Sequence, residues 1–138
     1  MYNEVRAFIE NKPGKLSHML EVLAKAEIDI LAMEIADEGQ FGVVKFLTAE
    51  PERAKQMLAD ANFAVVLNLV VVIEIPDKPG GLVSLSKALE SVNLNVTDAY
   101  GCILERGKRA IFVVKGDNLE AIEAAVQNAG LKILDTLR

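Results

Sequence analysis

The sequence lacks the residues that several classes of protein depend on. Its 138 residues include no tryptophan, two tyrosines, five phenylalanines, one histidine and one cysteine. A single cysteine, Cys102, excludes a disulfide framework. Acidic residues outnumber basic ones by 20 to 15, which gives a net charge of −5. Nucleic-acid binding requires basic residues that neutralise phosphates, and RNA-binding sheets also need exposed aromatic rings. The composition therefore predicts no nucleic-acid partner.

Residues for catalysis and metal binding are equally scarce. An active site requires a nucleophile, a base or a set of metal ligands, and no motif here provides one. We interpret His18 as a partly exposed helix residue and Cys102 as a small buried apolar residue. The acidic group Glu34, Asp37 and Glu38 is typical of a solvated strand edge, and zinc-type spacings do not occur. The sequence therefore predicts no enzymatic activity, no catalytic residue, no metal and no cofactor.

Long apolar runs are also missing. The longest, from Phe63 to Ile75, is interrupted by Asn68 and Glu74, and a spanning helix needs about 20 apolar residues. The first ten residues carry charges and have no apolar segment of the kind found in a secretion signal. We expect no membrane association, and the single free cysteine favours a reducing, cytoplasmic location.

What the chain does contain is an internal duplication. Hydrophobic residues make up 51% of the sequence, as in a folded globular protein, and residues 9–30 align with 75–96 at an offset of 66. The offset becomes 68 after residue 41, with the two extra residues in the turn 106–109. The duplication predicts two domains, 1–68 and 69–138. The identical pairs of the first segment are Ile9 and Ile75, Lys12 and Lys78, Pro13 and Pro79, Gly14 and Gly80, Leu16 and Leu82, and Leu23 and Leu89.

Each half predicts the same order of elements. Apolar residues at three- and four-residue steps from Leu16 to Ala26 predict a helix with one buried face. Pro51 suits the first turn of a second helix. The order βαββαβ, twice, predicts an α+β protein of two ferredoxin-like units, each an antiparallel sheet with helices on one face. The predicted elements are 5–10, 16–26, 28–35, 43–48, 51–61 and 63–67 in the first half, and 70–75, 82–92, 94–105, 110–115, 117–129 and 131–137 in the second.

The small size of each unit predicts association. A domain of roughly 65 residues buries only about 60% of the surface of its unfolded chain. Its open four-stranded sheet leaves strand edges exposed. We therefore expect each unit to be covered by another module, and the chain to form a homodimer or a higher homo-oligomer.

Two loops have the strongest functional pattern, Asn11 to Leu16 and Asp77 to Leu82. Each joins a strand to an amphipathic helix through a Pro-Gly pair, in which proline restricts φ and glycine permits a backbone that other residues avoid. Such a loop directs free N–H groups of the first helical turn towards one point, which suits a carboxylate or a phosphate. The loop is too short and too poor in glycine to surround a nucleotide, so a small carboxylate fits better. The alternative interpretation is a purely structural turn.

In these features the chain resembles the ACT domains, a family of small ligand-binding regulatory modules. The resemblance covers nearly the whole chain, as two copies. It rests on the βαββαβ order, the Pro-Gly motif and the stretches 26–30 and 92–96 near the second strand of each copy. It implies that an amino acid or similar small carboxylate binds at an interface between ACT modules. Carried over by position, the ligand-binding residues are Asn11, Gly14, Lys15, Leu16 and Asp29 in the first copy, and Asp77, Gly80, Gly81, Leu82 and Asn95 in the second.

One position differs between the copies. The family residue near the start of the second strand is Asn, as in Asn95, whereas the first copy has Asp29. A carboxylate there repels a ligand carboxylate but accepts a hydrogen bond from an ammonium group. The alternative interpretation is that the side chains of Asp29 and Asn95 face solvent and bind nothing.

The expected function is that of a non-catalytic, amino-acid-binding regulatory protein, with a metabolic enzyme as the partner it regulates. The alternative is a regulatory or oligomerisation subunit of a metabolic enzyme that has no ligand of its own.

Overall fold

The computed structural model describes residues 1–137, and the elements of that range follow the predicted βαββαβ order. One strand, β4, replaces the two strands predicted over 63–67 and 70–75, and no glycine or proline lies between them. In chain order the elements are β1 Tyr2–Glu10, α1 Lys15–Lys25, β2 Ala32–Asp37, β3 Phe41–Leu47, α2 Pro51–Asp60, β4 Ala64–Pro76, α3 Val83–Ser91, β5 Val96–Glu105, β6 Arg109–Gly116, α4 Leu119–Asn128 and β7 Lys132–Ile133.

The chain divides into two compact units. The first unit contains residues 3–68 together with Leu137, and the second unit contains Met1–Tyr2 and Leu69–Thr136. The division falls inside β4. None of the helices within residues 1–137 has the length and apolar character needed to cross a bilayer.

In the first unit, β3 lies between β2 and β1, and all pairings are antiparallel. Val5 of β1 pairs with Phe46 of β3. Alternate residues of these strands face α1 and α2, so the core lies between the sheet and the two helices. Its fully buried members include Val5, Phe46, Met19, Leu23 and Leu58.

The second unit repeats this arrangement. β6 lies between β4 and β5, again antiparallel, and β7 pairs with β4. Val71 of β4 pairs with Val114 of β6, and both side chains are buried against helices α3 and α4. The helices add Leu85, Leu89 and Ile122 to this core. Each unit is therefore an antiparallel sheet with its helices on one face, as predicted.

The first helix of each unit ends in the same way. Glu27 and Asn93 adopt left-handed backbones with φ of 55° and 54°. After α1, the N–H of Ile28 donates to the carbonyl oxygen of Leu23 at 3.0 Å, and after α3 the matching bond is made at 2.9 Å. This geometry is a Schellman motif. β2 begins at Ala32 instead of residue 28 and β5 begins at Val96 instead of residue 94, so Asp29 and Asn95 both lie before their strands.

The first helices of the two units start at different positions. α1 begins at Lys15, whereas α3 begins at Val83, two residues later than Gly81, which aligns with Lys15. A Cβ at position 81 would overlap the carbonyl oxygen of Pro76. Only glycine permits this close approach of two backbone segments. Gly81 therefore lets the loop of the second unit turn further before its helix begins.

Candidate functional site

The loop before α3 is joined to the turn between β5 and β6. The N–H of Gly107 donates to Asp77 Oδ2 at 2.6 Å. The N–H of Asp77 in turn donates to the carbonyl oxygen of Lys108 at 3.2 Å. The half-buried Asp77 thus orients the loop as well as presenting a carboxylate there.

The matching loop of the first unit is joined to its hairpin at the matching positions. The backbone N–H of Asn11 donates to the carbonyl oxygen of Gln40 at 3.1 Å. The side-chain Nδ2 of Asn11 donates to the carbonyl oxygen of Gly39 at 3.3 Å. Asn11 Nδ2 also lies 3.3 Å from Asp37 Oδ1, which accepts from the N–H of Gly39 at 2.9 Å. The predicted ligand residues Asn11 and Asp77 therefore have a structural role in both copies, as the structural-turn interpretation requires.

The loop of the second unit forms one wall of a cavity of about 350 Å³. Four predicted residues line it: Asp77, Gly80, Gly81 and Leu82. Strands β5 and β6 provide the opposite wall. The sequence interpretation missed the wall residues Gly101, Cys102, Ile103, Ile111 and Phe112. Gly101 pairs with Phe112, and Ile103 pairs with Ala110. To find the wall residues from the sequence, one would have needed to know the register in which β5 pairs with β6.

Free backbone donors lie at the start of α3. The N–H of Gly81 donates to Lys78 at 2.9 Å and that of Val83 to Gly80 at 3.0 Å. Within residues 1–137, the N–H groups of Leu82 and Ser84 have no hydrogen-bond acceptor. Unpaired N–H groups and the positive end of the helix dipole favour an anionic group at such a position.

The first unit has a smaller cavity at its loop, of about 160 Å³. Asn11 and Leu16 line it, but Gly14 and Lys15 are not part of its lining. Glu10, which also lines it, accepts ion pairs from Lys12 at 3.0 Å and from Lys15 at 3.7 Å. Lys12 first, and then Lys15, lower the pKa of the Glu10 carboxyl below its ordinary value of 4.5.

The predicted residues near the second strands lie apart from these cavities. Asp29 is exposed and does not line the first cavity. Asn95 lines a separate cavity of about 470 Å³ with Ser86, Glu90 and Asn93, between the end of α3 and the start of β5. Within each unit, the structure therefore brings the loop residues together but does not bring Asp29 or Asn95 to them.

The remaining reactive side chains are dispersed. The ring of His18 packs against Phe63, with ring centroids 5.3 Å apart. Cys102 is half-buried and lines the second cavity. Among residues 1–137, no three His, Cys, Asp or Glu side chains are grouped so that they could hold a metal ion.

Comparison with known proteins gives a family match over almost the whole chain. A family model described as an ACT domain pair matches residues 2–136. No curated protein sequence matches this chain significantly.

Solved structures with the same fold also match over nearly full length. Protein BT0572 from Bacteroides thetaiotaomicron has a TM-score of 0.89 and 28% identity, covering 96% of this chain and 91% of that one. The ligand-free regulatory subunit of aspartate kinase from Thermus thermophilus has a TM-score of 0.65 and 16% identity, covering 92% and 91%. The regulatory subunit of aspartate kinase from Thermus flavus has a TM-score of 0.57 and 15% identity, and the match covers 93% of both chains. At these low identities, the two aspartate kinase subunits show a shared fold alone.

Proposed function

This chain belongs to the ACT domain pair family, and from that membership we propose that it is a non-catalytic protein that binds a free amino acid and regulates a metabolic enzyme. The two proposed ACT-like domains are residues 1–68 and 69–138. The proposed assembly is a cytoplasmic homodimer or higher homo-oligomer, with the ligand at an interface between ACT modules. The Thermus thermophilus protein that shares this fold is the regulatory subunit of an enzyme, aspartate kinase.

The observation that carries the proposal is the cavity beside the loop of the second unit. It combines the free N–H of Leu82, immediately before α3, with one carboxylate and an apolar wall. The N–H of Leu82 suits the ligand carboxylate. The carboxylate of Asp77 suits the ligand ammonium group, and the aliphatic wall suits a side chain. These are the three chemical parts of an amino acid.

The exposure of the cavity supports the proposal that a second module covers it. Two of its lining residues, Leu82 and Ile103, are 45% and 57% exposed, so a ligand bound there alone would remain in contact with water. A module from a second chain that covers this side would enclose it and would supply contacts such as Asn95 or Asp29. Because the enclosed ligand binds only the associated arrangement, it shifts the population towards that arrangement.

The test is a thermal unfolding series with each of the twenty common amino acids. A ligand that binds only the folded state stabilises it by about 2.7 kcal/mol at a hundredfold excess over Kd. A ligand this small supports affinities of roughly micromolar to millimolar. We expect at least one amino acid to raise Tm. An unchanged Tm with all twenty amino acids at about 10 mM, near the top of this affinity range, excludes the proposed amino-acid-binding function.

The second candidate is a subunit that only assembles, without a ligand. It is favoured by apolar side chains on the strands that end each sheet. Met33 and Ile35 on β2 are 38% and 47% exposed, and Ile103 and Leu104 on β5 are 57% and 39% exposed. Exposed apolar edge strands are typical association surfaces. Copurification of a metabolic enzyme in a fixed ratio, with no amino acid affecting Tm or the complex, would support this function instead.

A further inference from the structure

We propose that the two copies have diverged, so that only the loop cavity of the second unit binds an amino acid, and that it selects one with an apolar side chain. This inference rests on the proposed function, since it assigns the ligand to one of two homologous loops. Size, charge and wall composition each support it.

Size separates the two cavities. Pockets for small molecules typically span about 300–1,000 Å³. The second cavity, at about 350 Å³, lies in that range, whereas the first, at about 160 Å³, lies below it. Two glycines distinguish the second cavity, since Gly81 aligns with Lys15 and Gly101 aligns with Ile35.

The glycine on β5 keeps its wall open. A Cβ at position 101 would lie 3.1 Å from Phe112 Cδ2 and 3.2 Å from the carbonyl oxygen of Ile111. Both of those residues line the cavity, so a larger side chain at 101 would occupy ligand space. At the aligned position of the first unit, Ile35 already lines the smaller cavity.

Charge separates the cavities in the same direction. Glu10, Lys12 and Asp37 are among the residues that line the first cavity. Lys12 and Lys15 pair with Glu10 and offset its charge, which leaves Asp37 as the further acidic residue of the lining. At the position aligned with Asp37, the second cavity has Ile103. A carboxylate at that position repels the carboxylate of an amino acid.

The wall of the second cavity determines which side chain fits. Its large side chains are mostly apolar and come from Ile75, Leu82, Val83, Ile103 and Phe112. Asp77 and Lys78, which are charged, belong to the loop, where the ligand's own charged groups would lie. A charged ligand side chain against the apolar wall would lose hydration without gaining a partner. An aliphatic or aromatic side chain would bury apolar surface there.

Isothermal titration calorimetry on the full chain tests the inference. The probes are leucine, isoleucine, valine, methionine and phenylalanine, with aspartate and lysine as charged comparators. We expect one binding site per chain, with an apolar amino acid bound more tightly than either comparator. The substitution Ile103→Asp introduces the residue found at the aligned position of the first unit, Asp37. We expect it to weaken binding of the amino acid by about tenfold or more.

Matched variants separate this effect from general damage. Val92→Asp places the same charge on a similarly exposed apolar residue after α3, outside the cavity lining, and should leave Kd unchanged. Ile35→Ala changes the wall of the first cavity only and should also leave Kd and stoichiometry unchanged. Ile103 is largely exposed, so its substitution should preserve the fold. Should Ile103→Asp lower Tm strongly, Gly101→Ala, which adds one carbon to the cavity wall, provides the same test.

The outcomes distinguish the inference from the function on which it rests. Absence of binding with all twenty amino acids refutes the proposed function itself. Binding at two sites per chain, tighter binding of aspartate or lysine, or loss of binding in Ile35→Ala with no effect of Ile103→Asp would refute the inference and leave the function intact.

Discussion

The N–H of Gly107 and Asp77 Oδ2 form a hydrogen bond of 2.6 Å that joins the loop before α3 to the turn between β5 and β6. The first copy makes the equivalent connection with the donor and acceptor exchanged, since Asn11 Nδ2 donates to the carbonyl oxygen of Gly39. Asp in one copy and Asn in the other therefore serve one structural purpose. Of these two residues, only Asp77 adds a charge to its cavity wall.

The first prediction separates these two contributions of Asp77. Asp77→Ala removes the acceptor for Gly107 and should lower the free energy of unfolding by about 1–2 kcal/mol. Asp77→Asn retains an acceptor oxygen and should cost less, but it removes the charge that we propose for binding the ligand ammonium group. Urea unfolding measures the first effect and ligand-induced shifts in Tm measure the second. Equal unfolding midpoints for Asp77→Ala and the wild type would contradict the structural role.

The second prediction concerns the close approach at Gly81. Gly81→Ala places a Cβ against the carbonyl oxygen of Pro76, so the backbone must move, at a cost of about 1–3 kcal/mol. The matched control is Lys15→Ala, at the aligned position of the first unit, where a side chain is already accommodated at the start of α1. We expect a clear decrease in the urea midpoint for the first variant and little change for the control. Similar midpoints for the two would refute the steric explanation.

The third prediction uses the left-handed residues that end the first helices. Glu27 adopts φ of 55°, a conformation that costs roughly 1–2 kcal/mol for residues other than glycine. Glu27→Gly should therefore raise the free energy of unfolding, by about 0.5–1 kcal/mol after the entropy of glycine in the unfolded chain is included. Asn93→Gly should have a smaller effect, because asparagine tolerates this conformation.

Glu27→Ala is the control for that prediction. Alanine retains the unfavourable backbone and should not stabilise the protein. Thermal unfolding monitored by circular dichroism measures all three variants. Stabilisation by alanine equal to that by glycine would show that the side chain of Glu27, and not its backbone, causes the effect.

The fourth prediction concerns acid and the Glu10 carboxyl. Its pKa in the folded state lies below the ordinary 4.5, chiefly because of Lys12. A lowered pKa contributes stability above pH 4.5, and this contribution disappears as the pH falls through the folded-state pKa. The difference in unfolding free energy between wild type and Glu10→Gln should therefore shrink in acid. The effect is small, since the carboxyl is exposed.

Urea midpoints of wild type and Glu10→Gln, measured at neutral pH and below the folded-state pKa, test this fourth prediction. Lys12→Ala should reproduce the behaviour of Glu10→Gln, because it removes the other half of the main ion pair. A difference between wild type and Glu10→Gln that grows as the pH falls would contradict the assigned direction of the pKa shift.

Much of the fold could be predicted from local pattern. The spacing of Met19 and Leu23 predicts the buried face of α1, and both are buried at 0% and 1% exposure. The repeated Pro-Gly loops indicated the ACT family, and the family match confirms it. The predicted start of the second strand was wrong, because Glu27 adopts a left-handed conformation that its residue type does not favour. The assignment of ligand residues stays a prediction.

The sequence by itself determined the duplication, the order of elements and the two Pro-Gly loops, because these depend on neighbours a few residues apart. Only the tertiary structure decided which distant side chains meet those loops. Gly101 and Ile103 reach the loop of the second unit through the register of β5 on β6, and Gly107 reaches Asp77 across 30 positions of sequence. A register shift of one residue would turn every β5 side chain to the other face of the sheet. That register depends on the packing of the whole unit, which local sequence does not encode.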